Sequence, residues 1–144
     1  MDIDTTAFFE ALAAEMNAHP ERYQVLGDAD MSAMVVMTSA DRAFRVRIDF
    51  EMLECAGVTA VEAGDPADYR LEGPLDAWQA MFDDIVTNGR ATGLQTINSL
   101  AMLGDRIACR GDDPMGLDKF SRFNQTLQDF LDGAGRLDLT RSNS

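Results

Sequence analysis

Catalysis requires reactive side chains that converge, and this chain of 144 residues supplies few such sets. Its single histidine, His19, stands beside Pro20 where a helical pattern ends. One histidine does not make a multi-histidine metal site, so a surface or helix-capping role is expected. Carboxylates are abundant, and a pair such as Asp83/Asp84 invites an acid–base reading. Adjacent helical positions do not face one another, so a solvated face is the better reading. Asp28/Asp30 and Asp112/Asp113 lack the ligand series and twelfth-position glutamate of a calcium loop. Cys55 and Cys109 form no C-x-x-C pair, and neither has a base beside it to make it a nucleophile. Both are expected to be small core residues, kept reduced in a reducing cytoplasm. Gly89-Arg90-Ala91-Thr92-Gly93 shares its glycines with phosphate loops but lacks their Lys-Ser/Thr pair, and no dinucleotide fingerprint or nucleophile elbow occurs. The residues thus nominate no catalytic group, no metal ligands and no cofactor.

What they do offer is apolar bulk. Trp78, Met81, Phe82, Met102, Met115, Phe120, Phe123 and Phe130 are concentrated in the helical half, and the chain holds nine methionines. Methionine adapts to irregular space. Such a set either fills a plain core or lines a cavity for an apolar ligand, and residue types do not separate the two.

The elements that must position these residues follow from periodicity. Phe8, Phe9, Leu12, Ala13 and Met16 recur at helical spacing, with Asp4 or Thr5 as the cap and Pro20 as the stop. Gly27 to Asp30 reads as a loop. Met34 to Met37 is a continuous apolar run, as in a buried strand. Phe44, Val46, Ile48 and Phe50 alternate with Arg45, Arg47 and Asp49, the period of a half-buried strand, after a hairpin loop at Thr38 to Asp41. Met52 to Val61 predicts a third strand with a bulge at Gly57, and Tyr69 and Leu71 a fourth. Pro74, near the first helical position, opens a helix whose buried stripe is Leu75, Trp78, Phe82 and Ile85 and which stops at Asn88-Gly89. Thr92 to Leu103 carries another helical pattern, including Leu100, capped by Gly104. Arg106 to Arg110 reads as a fifth strand. Asp113-Pro114 then opens a last helix with Leu117, Phe120, Phe123, Leu127, Phe130 and Leu131 inside. Residues 132–144 read as a flexible tail. Strands followed by helices predict an α+β layer fold with a mainly antiparallel sheet: one domain over 1–144, its core at about 6–131.

Charge narrows the function classes. Twelve Lys+Arg against twenty-five Asp+Glu gives −13 and a pI near 4.2. Phosphate backbones and anionic membrane surfaces repel such a surface, so nucleic acid is not an expected partner. No apolar run approaches the ~20 residues of a membrane span, so stable membrane insertion is not expected either. Asp2 and Asp4 stand where a secretory signal carries basic residues, which again suggests a soluble cytoplasmic protein. Asp76, Asp83, Asp84, Asp118 and Asp129 fall on helix faces, as a solubilising coat around an apolar interior.

Two stretches carry a resemblance. Asp68-Tyr69-Arg70-Leu71-Glu72-Gly73 followed by Asp76-Ala77-Trp78 resembles a strand ending in glycine and then a helix with an early tryptophan. Leu103-Gly104-Asp105-Arg106-Ile107, then Gly111-Asp112 and Met115-Gly116-Leu117, is similar to a helix–Gly–strand–Gly-Asp–helix run. Both are features of the sterol carrier protein type 2 (SCP-2) domain family, here in the manner of a bacterial stand-alone member, and the element order matches from about Thr6 to Leu131. The resemblance implies a five-stranded sheet covered on one face by helices, with an apolar tunnel between the layers. It implies binding of a sterol, fatty acid, acyl-CoA or other lipid, carried or sequestered without catalysis. Trp78, Phe82, Leu100, Met102, Phe120, Phe123 and Leu127 become the lining candidates. The alternative is a non-catalytic accessory module that engages a protein partner or a second copy of the chain. The chain departs from the animal carrier at Asp105 and Arg106, where that protein has lysines, and its last residues are not a peroxisomal address.

Overall fold

Thr5 starts the first helix, its hydroxyl accepting a hydrogen bond from the Phe8 N–H at 3.3 Å. In the computed structural model, which describes residues 2–103, 106–111 and 113–137, helix α1 runs Thr6–Ala18 and buries Phe8, Phe9, Leu12 and Met16. His19 is its C-cap, with the backbone N–H on the Met16 carbonyl at 3.1 Å.

Five strands follow in chain order: β1 (Met31–Thr38), β2 (Ala43–Glu51), β3 (Glu54–Ala60), β4 (Tyr69–Pro74) and, after the helices, β5 (Ala108–Arg110). They form one sheet in the order β3-β2-β1-β4-β5. β1 starts at Met31 rather than Met34, because Met31 and Ala33 extend the inward-facing set that Val35 and Met37 continue. β5 is shorter than expected, although Ile107 just before it is fully buried. β1–β2, β2–β3 and β4–β5 are antiparallel, whereas β1 and β4 are parallel, so the sheet is mixed but mostly antiparallel.

Near the β2–β3 turn the register changes from Asp49↔Gly57 to Phe50↔Cys55, which leaves Ala56 as the extra residue instead of Gly57. Asn17 of α1 serves as a partner there: its Nδ2 donates to the Cys55 carbonyl at 3.0 Å and its Oδ1 accepts from the Cys55 N–H at 2.8 Å. The edge strand is thereby covered by a side-chain amide that imitates backbone.

The parallel register sets Thr38 against Pro74, so α2 (Leu75–Asn88) starts beside the β1–β2 hairpin. Pro74 is the N-cap rather than the first helical residue, and Leu75 is only half-buried. Ala77, Trp78, Met81, Phe82 and Ile85 form the buried face. The expected helix over Thr92 to Leu103 divides into a 3-10 turn at Gly93–Gln95 and a short α3 (Ile97–Leu103). Thr96 interrupts it in extended geometry, and its hydroxyl accepts from the Ser99 N–H at 3.2 Å. The Gly104 cap lies outside the described residues. Asp113 and Pro114 open α4 (Pro114–Asp132) as expected, the Asp113 carboxylate accepting from the Met115 N–H at 3.0 Å.

Gly133–Arg136 is a 3-10 turn against α1 and α2, not free tail. Gly133 and Ala134 are buried there, and Arg136 Nε binds Glu15 Oε1 at 2.8 Å. Together with buried Ile3, this carries the core past 6–131 at both ends. The helices cover the sheet face that bears Val35, Ile48, Tyr69 and Leu71.

Two glycines of the strand–helix signature are sites of backbone contact. A Cβ on Gly73 would sit 2.6 Å from the Arg106 carbonyl oxygen, and one on Gly116 would sit 2.0 Å from that of Asp68. No side chain fits where α4 crosses the start of β4. Gly116→Ala is therefore expected to lower unfolding free energy by about 1–3 kcal/mol through overpacking. Urea titration against Ser121→Ala, at an exposed site on the same helix, measures it. An equal midpoint for the two variants would contradict the contact.

Candidate functional site

Trp78 is wholly buried one turn into α2, and its indole Nε1 donates to the Val36 carbonyl of β1 at 3.1 Å. Phe82, one turn on, meets Phe8 of α1 edge-to-face at 4.9 Å and 87°. From α4, Phe120 packs edge-to-face on Tyr69 of β4 at 5.3 Å, and Leu127 is fully buried. Leu100 and Phe123 are partly buried and pack against the same cluster, the Arg122 guanidinium lying 5.2 Å from the Phe123 ring centre. The Met102 side chain lies outside the described residues. The six described candidates thus belong to, or pack against, one core between sheet and helices.

Open space lies at the flank of that layer. A cavity of about 280 Å³ is bounded by Ile3, Phe8, Phe82, Val86 and Ala134, where α1, α2 and the Gly133–Arg136 turn meet. Alongside it, a shallow groove of about 710 Å³ runs between the β1–β2 hairpin (Thr38, Ser39, Ala40) and the start of α2 (Pro74, Leu75, Ala80). Gln79 and Asp83 line both, so the two spaces meet at one stretch of α2. Of the described candidates read from sequence, Phe82 alone borders this space. Sequence placed Phe8 only in the core stripe of α1, and Ile3, Val86 and Ala134 fall outside every buried stripe, so none of the four was a lining candidate.

The rim is polar. Gln79 Nε2 donates to Asp83 Oδ1 at 3.0 Å, and Asp76 Oδ1 is paired with Arg106 at 2.5 Å. Asp83 has no ion pair among the described residues. Asp84, its neighbour, turns away: it accepts from the Thr92 N–H at 2.6 Å, and that bond lowers its pKa despite exposure.

Behind the site a buried polar knot fastens α4 to the loop after α2. Gln128 Oε1 accepts from the Ile97 N–H at 2.6 Å, and its Nε2 donates to Asp132 Oδ1 at 2.8 Å. The same Asp132 oxygen accepts from the Ala91 N–H at 3.1 Å. Burial pushes the Asp132 carboxyl above its ordinary range, and it does the same to Asp129, which is half-buried rather than part of a solvated coat.

No protein-family model and no curated protein matches this chain. Solved structures do. A crystal structure of sterol carrier protein 2 superposes with a TM-score of 0.72 at 17% identity, covering 94% of this chain and 98% of the other. A solution structure of a conserved hypothetical protein from Thermus thermophilus, described as possibly a sterol carrier protein, superposes at 0.68 with 20% identity, covering 93% and 90%. The fold is that of sterol carrier protein 2.

Within this SCP-2 fold, the groups that sequence raised as chemical candidates are held apart. Burial pushes the Cys55 and Cys109 thiols up to about 11, so both are protonated at neutral pH. His19 lies between Glu15 and Glu21 at the end of α1. Among the described residues, no three His, Cys, Asp or Glu side chains gather at metal-binding spacing. No described helix is long and apolar enough to cross a membrane.

A raised carboxyl favours the native state at low pH: its contribution is complete below the unfolded value and is lost as pH rises through the folded one. Asp132→Asn keeps an acceptor for the Ala91 and Gln128 donors without the buried charge. It is expected to melt a few degrees above the wild type at about pH 8. The gap should close as pH falls into the ordinary carboxylate range, at about 4. Melting curves across that interval check it, and a gap that does not change with pH would contradict the burial of the charge.

Proposed function

We propose that the protein binds an uncharged apolar ligand, a sterol or a neutral lipid, and carries or sequesters it without catalysis. The ligand enters at the α1–α2 flank and inserts toward the layer around Trp78. The observation that carries this reading is the junction of the groove and the Phe8–Phe82 cavity on one side of α2. The SCP-2 fold supports it, since one neighbour of known structure is named sterol carrier protein 2 and the other is described as possibly a sterol carrier protein. Val86 adds an apolar surface that is 50% exposed at the opening.

Burial of ~300 Å² of apolar ligand surface at roughly 25 cal/mol per Å² amounts to about 7 kcal/mol before ordering costs. Micromolar affinity, about 8 kcal/mol net, therefore needs a larger buried apolar area, enough to offset those costs. The space at the flank holds only part of such a ligand, so the rest displaces side chains, and Met81 in the buried face of α2 is the adaptable one. Asp83 at the junction repels a carboxylate head, which is why an uncharged ligand is preferred to a free fatty acid.

A titration with an NBD-labelled sterol tests this. Saturable binding in the micromolar range is expected, at least tenfold weaker in Val86→Glu, which sets a carboxylate at the opening without disturbing a buried site. A labelled fatty acid should bind less tightly than the sterol and gain affinity in Asp83→Asn. Absence of saturable binding, or equal affinity in Val86→Glu, would overturn the proposal. A stoichiometric protein co-purifying with a chain that binds no lipid would point instead to an accessory module.

A further inference from the structure

The face of the sheet turned away from the helices is not plain solvent surface. Met34 and Val36 of β1 point outward yet are only 3% and 4% exposed. Their cross-strand neighbours in register are Arg47 and Arg45 on β2, and Arg70 and Glu72 on β4. The chain between β3 and β4 folds over this surface, held by Arg47 Nη1 on the Pro66 carbonyl at 3.3 Å and by Asp65 Oδ2 on the Glu62 N–H at 2.8 Å. A cavity of about 610 Å³ remains beneath it, with Met34 and Val36 as floor and Arg45, Arg70, Glu72 and Pro66 among its walls. That volume is within the range of small-molecule sites.

The cavity is lined by two arginines, Arg45 and Arg70, and two carboxylates, Asp65 and Glu72, and both carboxylates are already engaged. Glu72 is engaged by Arg70 at 2.5 Å and faces Arg110 at 3.8 Å. Asp65 is committed to its own turn. Arg47 faces Asp49 at 3.4 Å, but its Nε is buried without a hydrogen-bond partner. Arg45 is partly buried and, among the described residues, makes no ion pair. A half-buried guanidinium left without a carboxylate among the described residues offers a local partner for an external anion. The fork geometry of arginine suits a carboxylate or phosphate, and partial enclosure strengthens the pairing.

We propose that this cavity is a second binding site, independent of the flank opening, for a small organic anion. A carboxylate or phosphate head pairs with Arg45, and a short apolar body lies over Met34 and Val36. The site is separated from the layer around Trp78 by the thickness of the sheet. Its ligand is an anion, whereas the flank at Asp83 favours an uncharged one.

Isothermal calorimetry with octanoate, hexyl phosphate and uncharged 1-octanol at low salt tests this. Saturable binding of at least one anion is expected, at least tenfold tighter than 1-octanol, weakened at least tenfold in Arg45→Gln and unchanged in Val86→Glu. The octanoate and hexyl phosphate arms tell a carboxylate site from a phosphate site. Ala67→Phe, which fills the cavity from the loop side, should weaken binding in the same way and serves if Arg45→Gln does not fold. Absence of saturable heat with both anions, or equal affinity in the wild type and a folded Arg45→Gln, would overturn the proposal. So would loss of binding in Val86→Glu, since that would place the anion at the flank. Failure of sterol binding leaves this experiment unaffected, because the two sites share no residue.

Discussion

β1 is the constraint on which the rest of the molecule depends. It is the central strand, and it is covered on both faces: Met31, Ala33, Val35 and Met37 on the helical side, and Met34 and Val36 on the other. Its parallel pairing with β4 places Pro74 beside Thr38, so α2 must start at the hairpin and pass back over β1. One turn into that helix, the Trp78 indole reaches the Val36 carbonyl and fixes the distance between the layers. A buried indole without an acceptor would cost about 1–3 kcal/mol, so this bond also orients α2. The flank opening and the outer cavity are both consequences of where β1 ends and what it shows on each face.

The acidic surface takes on a more particular meaning in this setting. Most of the basic side chains are tied to carboxylates: Arg42 to Asp4, Arg22 and Arg136 to Glu15, Lys119 to Asp68 at 3.4 Å, and Arg122 to Asp118 at 2.9 Å. The pairs among exposed groups contribute little to stability. Their effect is on the potential, because they leave the excess carboxylates to set its sign. An acidic surface of this kind opposes docking on an anionic bilayer, whatever the ligand held inside.

Much of the fold could be read from residue order. The α1 cap and stop, the alternation of β2, the Asp113-Pro114 start and the stripe of α2 are local signals, and the structure contains each one. What escaped was set by contacts between distant segments. Nothing in Tyr69–Pro74 distinguishes parallel from antiparallel pairing, because alternation marks a face and not a direction. Thr96 divides a helical pattern because extended geometry there lets its hydroxyl cap the next turn. The Gly133–Arg136 turn is ordered by Glu15, more than a hundred residues away. The lining candidates were recognised as one apolar layer through residue type and resemblance. Spacing could not show that Trp78, Phe120 and Leu127 are buried in one core while the space lies beside Phe82 and Val86, since a filled core and a hollow one have the same periodicity.

Trp78 is the single tryptophan of the chain, which makes it a reporter at the centre of the layer. Energy transfer from it to dehydroergosterol, followed through a titration, tests directly whether an apolar ligand reaches that layer. If the ligand enters under α2, Trp78 emission falls saturably to a stoichiometry of one sterol per chain, with matching sensitised sterol emission. Trp78 emission that stays constant while sterol is present at tens of micromolar would contradict it.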